Sequence, residues 1–122
     1  MKIEKVIPIL RIFDEAKTME FYIGWLGFTI DWQHRYEDNA PLYMQISKDG
    51  LVLHLSEHHG DATPGAKIFI ECSGVRELQK ELNEKKYKYH RPGLVQEPWN
   101  AISVTVVDPF MNRIAFNERI ES

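Results

Sequence analysis

Five histidines stand in this 122-residue chain, and three of them fall close together as His54, His58 and His59, with Glu57 and Asp61 beside them. Residue types of this kind ligate metals or move protons. Along an extended strand four residues span roughly 13 Å, so His54 and His58 share an ion only where the chain turns sharply between them. The stretch Glu57-His58-His59-Gly60-Asp61 also lacks the helical i, i+4 histidine pair of metalloproteases, and it reads as a polar loop at a cavity rim. His54 lies between Leu53 and Leu55, which point the other way on a strand; its imidazole either contacts a ligand or is a hydrogen-bonded cleft residue. Trp99 follows Pro98 in a loop, where an indole needs something to pack on. Trp32 and Tyr43 sit on neighbouring strand candidates and can line the same cleft or serve packing. Asp108-Pro109 with Asn112 is a turn motif, since these types supply the local hydrogen bonds and φ angles of tight turns. Cys72 has no basic neighbour in sequence and is treated as a small half-buried residue, not a nucleophile. Neither a Ser-His-Asp arrangement nor a glycine-rich phosphate loop is visible.

The elements that must position these residues follow from periodicity. Residues 5–13 form an apolar, β-branched run ending at Asp14, whose carboxylate can cap a helix. Over 15–26 the apolar residues Met19, Tyr22, Ile23 and Leu26 recur at i, i+3, i+4 and i+7, and Gly27 supplies a left-handed residue past the last turn. The pattern predicts an α-helix there. Strands are predicted over 28–34, 42–47 and 51–57, the last two joined by the hairpin signal Lys48-Asp49-Gly50. After a polar loop the order restarts: a strand over 67–71, a helix over 75–85, one short strand within the proline-broken segment 88–99, and strands over 102–107 and 113–117. Each half reads βαβββ, which suggests an internal duplication.

Alternation assigns faces to the strands. Leu51, Leu53 and Leu55, Ile68 and Ile70, Leu10 and Ile12, and Ile114 and Phe116 form apolar sets that pack on the helices. The opposite face collects Val52, His54 and Ser56; Lys67, Phe69 and Glu71; Ile7, Ile9 and Arg11; and Arg113, Ala115 and Asn117. A mixed polar, charged and aromatic face of this kind is the composition of a binding concavity.

Composition bounds the function. Lysine plus arginine number 15 against 18 acidic residues, a net charge of −3, so no basic excess points to nucleic acid. With 43% hydrophobic and 27% charged residues the chain can build one core. The single cysteine excludes an intramolecular disulfide and a cysteine-based zinc site. No apolar run approaches the roughly 20 residues that cross a bilayer, and the N-terminus leads straight into a strand pattern, so no membrane segment and a cytoplasmic location are expected.

Four pieces of the sequence are familiar. The run Val6-Ile7-Pro8-Ile9-Leu10-Arg11, the helix Glu20-Phe21-Tyr22 ending in Leu26-Gly27-Phe28, Glu97-Pro98-Trp99, and Asp108-Pro109-Phe110-Met111-Asn112-Arg113 closely resemble the bleomycin resistance proteins. These belong to the vicinal oxygen chelate superfamily with glyoxalase I and the extradiol dioxygenases. The resemblance spans nearly the whole chain. Phe-Tyr-x3-Leu-Gly-Phe and Asp-Pro-x2-Asn mark the superfamily, and Pro-Trp before the penultimate strand marks the bleomycin-binding branch.

The resemblance implies an α+β fold of paired βαβββ modules, about residues 3–59 and 66–120, each curling into a half-barrel within a single domain of residues 1–122. It also implies a homodimer enclosing two clefts. Superfamily enzymes carry metal ligands, usually His and Glu, on the cavity faces; the glyoxalase positions fall here at Ile7, His54, Lys67 and Ala115. Only His54 can bind a divalent metal, so no metal site, no cofactor and no catalytic residue are expected. The implied function is stoichiometric capture of a bleomycin-type or similar aromatic small molecule, with Trp99, His54, Trp32, Tyr43, Arg11, Lys67 and Arg113 as candidate ligand-binding residues. The positive charge that Arg11, Lys67 and Arg113 bring to the cavity face, beside Glu71, Asp31, Glu37 and Asp38, fits a cationic drug poorly. The alternatives are a metal-dependent lyase, isomerase or dioxygenase with displaced ligands around His54 and Glu57, and a subunit or regulator that keeps only the fold.

Overall fold

The computed structural model describes residues 1–120. Strand β1 (Ile9–Arg11) is much shorter than the apolar run that predicted it. It pairs in parallel with β4 (Leu51–Ser56), starting just after Pro8, whose carbonyl accepts from His54 N–H at 2.9 Å. Asp14 adopts the extended conformation of an N-cap and accepts from Lys17 N–H at 2.8 Å. Helix α1 (Glu15–Thr18) then runs for one turn only.

From Met19 to Trp25 the chain winds as a π-helix, where an uninterrupted α-helix was expected. Leu26 N–H reaches back five residues to the Phe21 carbonyl at 2.8 Å. The buried residues are Thr18, Phe21, Tyr22, Trp25 and Leu26, recurring every fourth residue along two adjacent rows. Positions 18, 21, 22, 25 and 26 make the i, i+3, i+4, i+7, i+8 stripe of a helix buried along one face, and that stripe carries three large aromatic rings into the core together. Met19 and Ile23, predicted for the buried stripe, are only partly buried at its margin. Gly27 ends the segment with φ of 88°, the left-handed geometry its position required.

Two four-stranded sheets follow, and their topologies are the same. The first has the order β1-β4-β3-β2, with β2 (Thr29–His34) and β3 (Tyr43–Lys48). The second has the order β5-β8-β7-β6, with β5 (Lys67–Glu71), β6 (Val95–Glu97), β7 (Ala101–Val107) and β8 (Arg113–Arg119). In each module the first strand lies parallel to the last, and the remaining ladder is antiparallel. The Asp49-Gly50 turn has positive φ at both residues, 50° and 89°, as the tight hairpin linking Lys48 to Leu51 needs. Helix α2 (Val75–Glu84) begins at Gly74 and packs on β7 and β8.

One hydrophobic core serves both modules. Leu10, Ile12, Met44, Ile46, Leu53 and Leu55 from the first sheet join Val104, Val106 and Ile114 from the second, together with the π-helix rings and Leu82. Polar ties cross the same seam: Trp25 Nε1 donates to the Leu82 carbonyl at 3.0 Å, and Tyr22 donates its hydroxyl hydrogen to Asp108 Oδ2 at 2.7 Å. Asp108 is almost wholly buried and also accepts from Phe110 N–H and Asn112 N–H, each at 2.8 Å. Asn112 Nδ2 bonds both Asp108 Oδ2 and the Arg11 carbonyl at 2.8 Å. The motif read as a turn therefore builds its turn and also pins the two modules together. Among the described residues no helix is long and apolar enough to cross a membrane.

Candidate functional site

With the helices and core occupying one side, the other face of each sheet is left open. On the first sheet, strand register sets Trp32 opposite Gln45, Gln45 opposite His54, and His54 opposite Ile9. Trp32 stands on this face because β2 carries a bulge between Ile30 and Trp32. Ile30 pairs with the core residue Ile46, so strict alternation would have turned the indole inward. The Trp32 and Tyr43 rings stack, with centroids 5.9 Å apart and planes 10° from parallel, and the His54 ring meets both at steep angles, 5.3 Å from Trp32 and 5.1 Å from Tyr43.

A chain of hydrogen bonds fixes this cluster. Ser47 Oγ and Gln45 Nε2 donate to the two oxygens of Asp31, at 2.9 and 3.0 Å. Gln45 Oε1 is thereby oriented toward His54 Nε2, at 3.0 Å, and must accept from it. His54 Nδ1 is left as an acceptor and takes the hydroxyl hydrogen of Tyr43 at 2.7 Å. Burial lowers the His54 pKa from its ordinary value, and burial with the nearby Asp61 carboxylate raises that of Tyr43. Both shifts favour the neutral pair that the hydrogen bonds require. The imidazole is thus the Nε2–H tautomer with both nitrogens engaged.

The open face of the second sheet is built differently. Trp99, 56% exposed, donates its indole N–H to Asn117 Oδ1 at 3.1 Å, and Asn117 is buried beneath it. Ser103 Oγ donates to Glu97 at 2.7 Å. Phe69, opposite Ala115, is exposed, and Lys67 stands directly opposite Arg113.

The seven candidate residues therefore do not form one constellation. Trp32, Tyr43 and His54 come together on the first sheet, while Trp99, Lys67 and Arg113 lie on the second. Arg11 is drawn into the wall: it is buried, stacks its guanidinium 4.4 Å over the Phe13 ring, and donates Nη1 to the carbonyls of Ile12, Ser56 and Glu57. Those bonds close the end of the β1–β4 seam, so its charge does not face the cleft. The positive charge expected on a common cavity face is in fact confined to the second sheet. Glu57 also parts from His54: it accepts from Leu42 N–H at 2.8 Å, stands 3.7 Å from Arg35, and lines a separate cavity with Glu15 and Arg35. His58 does return toward His54, because the chain turns where Ser56 Oγ accepts from His58 N–H and donates to Asp61; its ring centroid lies 6.5 Å from that of Tyr43. Cys72 is half-buried, and burial raises its thiol pKa.

The metal of the superfamily's enzymes does not fit these residues. The ladder sets Ile9 rather than Ile7 opposite His54, and Phe69 rather than Lys67 opposite Ala115. Isoleucine, phenylalanine and alanine offer no donor, Lys67 is a cation, and His54 has no free lone pair. Among the described residues no group of three or more His, Cys, Asp or Glu side chains is placed to hold an ion.

Gln45 and the rings of His34 and Tyr36 were not singled out from the sequence. Gln45 shares the parity of Tyr43 and Ser47 on β3, a signal that could have placed it on the open face. Asp31 was expected beside the cavity face as an acidic neighbour, but its contact with Gln45 arises at the bulge.

The geometry has close counterparts. An antibiotic-binding protein from Streptomyces sp. CB03234 superimposes with a TM-score of 0.73 at 20% identity, covering 98% of both chains. A bleomycin-binding protein solved in complex with bleomycin gives 0.69 at 18%, covering 96% of this chain and 99% of that one. The bleomycin resistance protein of Geobacillus stearothermophilus is 25% identical over 130 residues, 95% of this chain and 97% of its own. A model of the glyoxalase superfamily matches residues 1–122. That match covers the whole chain, and the chain belongs to the glyoxalase superfamily.

Proposed function

We propose that the protein is a homodimeric small-molecule binder that captures an aromatic antibiotic of the bleomycin type or a similar ligand, without turnover. The observation that carries this reading is the preformed Trp32–Tyr43–His54 cluster. Its rings are held by one another and by Asp31, and Trp32 remains 42% exposed. Such a cluster offers stacking surface with little ordering left to do on binding. The names of the bleomycin resistance relatives support the same ligand class.

Dimerisation completes the cleft in this reading. Ile9, Trp32, Phe69, Val95 and Trp99 leave a monomer with exposed apolar surface on both open faces, which a second copy covers by laying its second sheet opposite this first sheet. The reaction chemistry of the enzyme alternative has no support in the placement of Glu57, which faces Arg35. Calorimetry with metal-free and copper-loaded bleomycin tests the proposal, with Trp32→Ala and Trp99→Ala as variants. Each variant is expected to bind roughly tenfold more weakly, about 1.4 kcal/mol of lost stacking and burial. An absence of binding to the wild type rejects bleomycin as the ligand. Light scattering at micromolar concentration is expected to give about twice the 14.3 kDa chain mass, and a monomer refutes the shared cleft.

A further inference from the structure

Beyond Tyr43 the first sheet opens into a cavity of about 470 Å³, lined by Trp32, His34, Tyr36, Tyr43, His58 and Asp61. Five of these are aromatic rings; Trp32 and Tyr43 stack nearly parallel, and the others cross at larger angles. His34 and Tyr36 meet edge to face at 4.8 Å and 84°, Tyr36 and His58 at 6.3 Å and 88°, and Tyr43 and His58 are tilted by 54° at 6.5 Å. Walls crossed in this way present ring faces to a common space from several sides.

Two oxygens at this space, those of Tyr43 and Asp61, are acceptors. Tyr43 has already given its hydrogen to His54, because Asp31 and Gln45 hold the imidazole in the tautomer that accepts it, so the phenol oxygen keeps only lone pairs to offer. Asp61 takes one hydrogen bond from Ser56 Oγ, at 2.6 Å, on Oδ2; its other oxygen has no protein partner among the described residues. No lysine or arginine lines the cavity, and Asp61 is its one carboxylate. Ring faces carry negative quadrupole charge. The space is therefore bordered by several ring faces and by one carboxylate with no basic residue among its lining side chains.

We propose that this cavity is a cage for the protonated or quaternary ammonium group of a small ligand, with Tyr36, Tyr43 and Trp32 as π walls and Asp61 as counter-ion. The inference rests on the reading of the first sheet's open face as a ligand site and names the chemistry that one end of the ligand carries. Asp31 and Gln45 are positioning residues: by fixing His54 they keep the Tyr43 oxygen an acceptor.

The test titrates choline, and its neutral isostere with a tert-butyl group in place of trimethylammonium, into isotope-labelled full-length protein, following the Trp32 indole N–H by NMR. Choline is expected to bind about tenfold more tightly than the isostere. Tyr36→Leu, at a side chain 79% exposed and free of the core, and Asp61→Asn are each expected to cut choline binding about fivefold and leave the isostere unchanged. Equal binding of the two probes, or choline binding indifferent to both variants, overturns the cage. Bleomycin provides the separate arm: bleomycin binding that Trp32→Ala weakens, without choline discrimination, overturns the cage alone and leaves the antibiotic reading standing.

Discussion

Removing the Tyr22 hydroxyl should loosen the joint between the two modules by a calculable amount. Tyr22 is fully buried, Asp108 is 4% exposed, and the bond between them is 2.7 Å long. Tyr22→Phe keeps the ring and opens no cavity, so the loss is that of one hydrogen bond to a buried carboxylate, about 1.5–3 kcal/mol. Asp108 retains Phe110 N–H, Asn112 N–H and Asn112 Nδ2, which places the cost near about 2 kcal/mol. For a domain of this size that is a fall in Tm of about 8 °C, readable by calorimetry or circular dichroism. The alkaline limb makes the assignment specific. Burial, then the Asp108 charge and hydrogen bond, raise the Tyr22 pKa well above 10.0. The native state keeps this proton where the unfolded chain loses it, so the contribution is complete below about pH 10 and declines above it by about 1.4 kcal/mol per pH unit. The phenylalanine variant has no proton to lose, and the other tyrosines cancel in the comparison. The stability gap between wild type and variant should therefore narrow as pH rises past 10. A gap below about 0.5 kcal/mol at pH 7, or one that does not narrow, refutes the reasoning.

Two further outcomes follow from the site. NMR titration of His54 should find the Nε2–H tautomer and a midpoint below the ordinary 6.5; its contribution to stability is present above that value and is lost as pH falls below it, and a midpoint at or above 6.5 breaks the relay. Arg11→Met should cost stability, about 2 kcal/mol from the carbonyls left without a charged donor, yet leave bleomycin affinity within about twofold of wild type. An affinity loss beyond tenfold would return Arg11 to the ligand face.

The fold was largely legible because each of its signals is local. The order βαβββ came from strand and helix periodicity, the Asp49-Gly50 hairpin from residues that accept positive φ, and the Asp14 cap from its carboxylate. The core faces of β4, β5 and β8 followed from alternation. Trp32, Tyr43 and His54 were singled out by type, as aromatic and titratable residues on strands, and the structure sets them side by side on the first sheet.

What only the tertiary structure decided concerns places where one residue is added to a regular period. The chain over Met19–Trp25 winds as a π-helix although its apolar spacing is that of an α-helix, and no local propensity asks for the wider turn. The bulge at Asp31 exchanges the faces of β2, which brings Trp32 onto Tyr43 and carries the carboxylate to Gln45. Arg11 has the parity of an open-face residue, but the unpaired carbonyls at the end of the β1–β4 seam capture its guanidinium. Sequence sets the order of the elements and the chemical types along them. Phase across a bulge, and the partner a long side chain finds, are settled by contacts between residues far apart in the chain, and those contacts exist only once both modules close on their common core.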